Sequence, residues 1–228
     1  MRHRISAWLA ALVLALPVWL PVQAHAGVAL PRGASPEWPA PSQAAQELAS
    51  RIVQRADHGQ LPFVVVDKQA AMLMVYRPDG VLAGVTTVLL GLTPGDRSVE
   101  GVGERTQAGR LTVADRTTPA GRFQSSPGRN LSGEHVVWLN YADAFAIHRL
   151  RPAPRGEKRV QRMASTHPGD KRISAGCVVV PELFYDGVIR PMLGNGSAVV
   201  YVARKQRLAG VMEPSRCAST LTCVVEVL

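Results

Sequence analysis

Cys177 stands in Ser174-Ala175-Gly176-Cys177, directly ahead of Val178-Val179-Val180. A thiol in that place marks the entry of a loop into a buried strand. The glycine before it lets the backbone turn sharply and aim consecutive N–H groups at one point, an arrangement suited to an oxyanion beside a nucleophile. A thiol of ordinary pKa, about 8.5, needs an imidazole or a positive field to react at neutral pH. Of the six histidines, His3 and His25 lie in the N-terminal segment considered below, leaving His58, His135, His148 and His167. His148 closes the apolar run Phe145-Ala146-Ile147, where a side chain leaves the core and faces a cleft. It is the favoured general base, with His167 of the loop Thr166-His167-Pro168-Gly169 second. On residue chemistry alone a Gly-Cys before valines is as readily a small buried core residue. No His/Cys/Asp cluster has metal-ligand spacing, so the sequence predicts neither a metal nor a cofactor.

The redox setting follows from the N-terminus. Met1-Arg2-His3-Arg4, an apolar stretch from Ile5 to Val22 and Ala24-His25-Ala26 are the three parts of a secretory signal peptide, with cleavage expected after Ala26. The expected location is the periplasm or cell envelope, with no stable membrane partner once residues 1–26 are removed. Cleavage takes Arg2 and Arg4 and no acid, lowering the net charge from +9 to +7. Among three cysteines, Cys217 and Cys223 are spaced to close a small disulfide loop, which leaves Cys177 as the reactive or crosslinking thiol.

Elements that position these residues can be read in order. Residues 27–60 comprise a Pro/Ala-rich linker and an amphipathic helix, Ser42 to Asp57, with Leu48, Ile52 and Val53 on one face and Gly59 ending it. Phe63 to Val66, Met72 to Tyr76 and Val81 to Leu90 read as a β-meander turned at Arg77-Pro78-Asp79-Gly80. Gly91 to Gly133 reads as a long functional loop, holding a tight turn and short strand at Thr118-Pro119-Ala120-Gly121-Arg122-Phe123. Strands resume at 135–139, 145–148, 173–180 and 197–203, with a helix from Pro181 to Ile189. The predicted fold is mostly β, sandwich- or barrel-like, over residues 61–204, with one or two short helices. Residues 205–228 form a tail.

The order of five pieces resembles the catalytic domain of the L,D-transpeptidase family of bacterial cell-wall enzymes. They are Val64-Val65-Val66-Asp67-Lys68 with the Met72 strand, the Thr118 to Phe123 turn, Ile147-His148, and Ser174-Ala175-Gly176-Cys177-Val178. The likeness runs over about residues 62–204. It implies that Cys177 attacks a peptidoglycan tetrapeptide stem, forms a thioester and releases the terminal D-Ala, after which an amine of a second stem resolves it. It also implies His148 as general base, oriented by the backbone carbonyl of Arg149. The N–H groups of Cys177 and Gly176 would serve as oxyanion donors, with Ser174 among the orienting residues. A carbapenem, a β-lactam, is the expected covalent inhibitor. The family pattern carries histidine where Ala175 stands and arginine or asparagine where Val179 stands, and its histidine-to-cysteine interval is shorter. Hydrolysis by the same pair would make an L,D-carboxypeptidase or a crosslink-trimming enzyme; a chain without turnover would be a wall-binding module.

From Arg149 to Arg172 there are eight basic residues and two acids, so the segment carries +6. It separates the base from the nucleophile and is expected to border their cleft. One reading is a solvated loop. The other is an electrostatic rim, with Arg155, Arg159 and Arg172 attracting the carboxylates of stem peptides. Nucleic-acid binding is a weaker third reading, because export removes that partner and no aromatic residues interleave the charges, so no nucleic acid is expected.

Overall fold

The apolar runs early in the domain become strands buried on both faces. The structure, a computed structural model, describes residues 40–204. The segments expected to form a signal peptide, most of the linker and the tail, with the expected Cys217–Cys223 pairing, lie outside the described residues. β1 (Phe63–Asp67) pairs antiparallel with β2 (Met72–Tyr76), and β3 (Leu82–Thr87) adds to β2. β10 (Ala198–Val202) lies parallel to β1 on its other side. Val64 and Val66 join the main core, while Phe63 and Val65 pack beneath α1 (Gln43–Arg55). Two covered faces explain the unbroken Phe-Val-Val-Val run.

α1 starts where its capping residue allows. The Ser42 hydroxyl accepts the Ala45 N–H, and the helix stops at Ala56, which is left-handed at φ 51°. Its buried face is Ala45, Ala49 and Ile52 with Leu48 alongside, and Val53 is exposed rather than buried as expected.

β5 (Gly121–Arg129) joins two half-sheets. Gly121 to Ser125 pair with β10, and Ser126 to Arg129 pair with β6 (His135–Asn140). A strand that changes partner midway forms the corner between packed sheets. The sequence predicts only a short strand here, because Ser125-Ser126-Pro127-Gly128 has no strand composition of its own. Pairing across from β6 holds it extended.

β7 (Phe145–Arg149) follows β6, and β9 (Val178–Val180) runs parallel to β7. The order is β3-β2-β1-β10-β5-β6-β7-β9. Leu89, just beyond β3, exchanges two 2.9 Å backbone hydrogen bonds with Val179, so the two edges nearly close on each other. β4 (Leu90–Gly91) and β8 (Arg172–Ser174) form a small parallel pair. The fold is mostly β, as the sequence predicts.

Between the half-sheets lie Leu73, Val75, Leu90, Val137, Ile147, Val178 and Val200. Tyr185, Ile189 and Leu193 cover this core from a run of α4 (Glu182–Phe184), a π-helical stretch (Tyr185–Ile189) and α5 (Arg190–Leu193). Two short helices, α2 (Val102–Gln107) and α3 (Arg159–Ala164), lie in segments that read as loop and basic insertion.

Candidate active site

The turn bearing Cys177 is closed by its own serine. Ser174 Oγ accepts the Gly176 N–H at 3.1 Å and donates to the Cys177 carbonyl at 2.7 Å. Gly176 has φ +128°, and a Cβ there would lie 2.9 Å from the Thr117 carbonyl oxygen, so glycine is required twice over. Thr118 Oγ1 donates to the Gly176 carbonyl and accepts the Gly91 N–H, both at 2.8 Å. Arg116 ties the same turn to the Gly91–Gly133 segment by donating to the carbonyls of Ser174 and Ile173.

Beneath this turn Lys68 is buried at the end of β1. Its Nζ donates to the Thr118 carbonyl at 2.9 Å, the Gly95 carbonyl at 2.5 Å and the Asp96 carboxylate at 2.5 Å. Burial draws the Lys68 pKa down and Asp96 opposes it. Lys68, Thr118 and Gly176 thus form one connected network, although they are far apart in the chain.

His148 leaves β7 opposite Val179 of β9. Its Nδ1 is 2.8 Å from the Arg149 carbonyl oxygen. A carbonyl only accepts, so Nδ1 carries the proton and Nε2 is the free lone pair. His148 and Cys177 line one cavity of about 370 Å3 together with Trp138, Tyr141 and Arg151. The two aromatic rings meet edge to face at 5.0 Å. The Cys177 thiol donates to the Ala144 carbonyl at 3.4 Å, and no hydrogen bond joins it to His148 among the described residues. Ala144 belongs to the turn between β6 and β7, on which α2 packs: a Cβ on Gly103 would overlap the Ala142 carbonyl.

The electrostatics favour a neutral pair. Burial pulls His148 down to about 4, helped by the charges of Arg151 and Arg159 and opposed by the Arg149 carbonyl and Glu134. Burial pushes the Cys177 thiol up, against the Ala146 backbone and the Arg151 charge. Thiol and imidazole are therefore both uncharged at neutral pH, in contrast to a thiolate–imidazolium couple.

Two expectations need correction. The Gly176 N–H is taken by Ser174, so it is not a free oxyanion donor; the residue shapes the turn instead. None of the three arginines expected to hold substrate lines the cavity. Arg155 is exposed, Arg159 pairs with Glu157, and Arg172 donates to the carbonyls of Lys68 and Gly91. The basic segment folds onto itself, with Arg162 bound to the Glu157 and Asp170 carbonyls. The remaining histidines are elsewhere: His135 meets Tyr185 and the Gly194 carbonyl, His58 meets the Pro78 carbonyl, and His167 is exposed. Sequence reasoning missed Arg151, Trp138 and Tyr141 as cavity residues; Arg151 had no mark beyond its place in a basic segment. Among the described residues no group of three or more His, Cys, Asp and Glu could hold a metal ion.

No family model matches this chain, and no curated protein matches it. Among solved structures, the L,D-transpeptidase from Xylanimonas cellulosilytica is similar at 18% identity with a TM-score of 0.35, over 63% of this chain and 60% of that one.

Proposed function

We propose that this chain is an exported cysteine acyltransferase that crosslinks peptidoglycan as an L,D-transpeptidase. One observation carries the reading: a histidine whose free Nε2 is dictated by the Arg149 carbonyl lines the same cavity as the cysteine of the Ser-Ala-Gly-Cys turn. The Cys177 S–H exchanges its weak Ala144 contact for His148 Nε2 as donor enters. Sulfur then attacks the stem-peptide carbonyl while Nε2 takes the thiol proton, and the same proton passes to the departing amine. The products are a Cys177 thioester and the free terminal amino acid. An amine of a second stem attacks the thioester, gives its proton to His148 and leaves a new amide with the thiol restored. The Cys177 backbone N–H, which Ser174 does not engage, is the donor for the developing oxyanion. The basic, then apolar, then small-residue N-terminus supports export to the compartment where that substrate lies.

Intact mass spectrometry after exposure to a carbapenem is the direct test. The expected result is a single covalent adduct, absent from Cys177→Ala. No adduct on folded protein over a range of pH overturns the acylating reading in favour of a binding module. Analysis of muropeptides after incubation separates crosslinking from trimming.

A further inference from the structure

The cavity shared by Cys177 and His148 is also lined by Arg151, whose guanidinium is ion-paired with Glu134 but makes no hydrogen bond among the described residues. Arg151 Nε lies 2.6 Å from Glu134 Oε2, yet its N–H is not aligned on that oxygen and has no hydrogen-bond partner among the described residues. The neighbouring arginines are committed. Arg149 pairs with Glu182 at 2.7 Å and Glu134 at 3.8 Å, and Arg116 and Arg172 are bound to backbone carbonyls. Arg129 borders the same cavity but is exposed and donates to the Gly133 carbonyl at 2.6 Å. The same Glu134 oxygen also accepts the Asn130 side-chain amide at 3.1 Å, so Glu134 pairs with Arg151 at Nε without saturating its fork.

We infer that Arg151 receives the C-terminal carboxylate of the acyl donor, so that the amide presented to Cys177 is the one preceding a free carboxyl end. The inference rests on the acylating reading above and names the feature by which that site selects its donor. Three points support it. A guanidinium fork matches a carboxylate in two parallel hydrogen bonds, and this one has its donors to spare. It lines the same cavity as Cys177 and His148, and its charge acts on both. Arg129, the other arginine lining the cavity, is exposed and engaged with the Gly133 carbonyl, so Arg151 is the guanidinium placed to meet an anion there. A bound carboxylate also offsets one of the charges that depress His148, so the imidazole becomes a stronger base when donor is in place. The leaving residue thus helps to activate the base that will protonate it.

The experiment compares a tetrapeptide stem ending in a free carboxylate with the same peptide as its C-terminal carboxamide, following release of the last residue. Wild type should favour the free acid by about ten- to a hundredfold, the worth of a charge-assisted bidentate contact. Arg151→Gln should bring that ratio close to one, and Arg151→Lys should keep an intermediate ratio; the ratio, unlike the rate alone, does not move with a general loss of stability. Equal rates for acid and amide with wild type, or an unchanged ratio in folded Arg151→Gln, overturn the inference while leaving the acylating enzyme intact. Wild type that reacts with neither peptide nor a carbapenem removes the acylating reading, and the inference with it.

Discussion

β1 and the Cys177 turn are built on opposite physical terms. In β1 every residue from Phe63 to Asp67 is buried, and its neighbours β2 and β10 are apolar along almost their whole length. Stability there comes from area removed from water, which is non-directional and tolerant of small shifts. In the turn, position is set by single directed contacts: Ser174 to Gly176, Thr118 to Gly176, Lys68 to Thr118, and Arg116 to Ser174. Each contributes little net stability but specifies a location. The contrast teaches that damage to the strands should appear as lost stability with intact chemistry, and damage to the turn as lost chemistry with a smaller loss of stability.

The largest stability effect belongs to the strands. Leu73 is fully buried in the main core. Leu73→Ala should cost about 2–5 kcal/mol, a transfer loss plus a cavity. Denaturant unfolding reads the loss, and the carbapenem acylation rate in water at 25 °C should stay near wild type. A large fall in that rate with the fold intact would show that core and turn are coupled, and the contrast would fail.

A smaller stability effect with a larger chemical one is expected at Gly176. Gly176→Ala forces a side chain into φ +128° and against the Thr117 carbonyl. The stability cost is roughly 1–3 kcal/mol. Acylation should slow on the order of a hundredfold, because displacement of a nucleophile by an ångström has that consequence. Unfolding and acylation measured on one sample separate the two; a variant that acylates at the wild-type rate shows that the turn is not what places the sulfur.

The same division explains which features the sequence reveals. Burial leaves a one-dimensional pattern, so β1, β2, β10 and the helix capped by Ser42 are readable from composition and spacing alone. The Ser-Ala-Gly-Cys turn and His148 are readable because their residue types are rare and chemically pointed. β5 is not, since Pro127 and Gly128 are extended only through pairing with Val137 and Val136. Nor is the Lys68 to Thr118 contact, which spans 50 residues with no local mark. The basic segment misleads for a related reason. Its charge is plain in the sequence, but whether a guanidinium faces the cavity depends on which carbonyls and carboxylates the fold brings to it. That is why Arg151 lines the cavity while Arg155, Arg159 and Arg172 do not.

The smallest effect is electrostatic and tests whether burial and Arg151 set the proton affinity of His148. The second-order rate of carbapenem acylation reports groups of the free enzyme. His148 accepts a proton only while neutral, and burial, then Arg151, hold its pKa at about 4. The acid limb of that rate should therefore lie near pH 4, well below the range of a solvated imidazole at about 6.5. Arg151→Gln removes a positive neighbour and should move the limb upward, while raising the thiol as well. Stability carries the same sign. The folded pKa is depressed below the unfolded value, so the unfolded chain binds the proton first and stability falls as pH drops from about 6.5 toward 4. A limb that lies near 6.5 and does not respond to Arg151→Gln would mean that His148 is solvated, and that neither burial nor Arg151 sets its proton affinity.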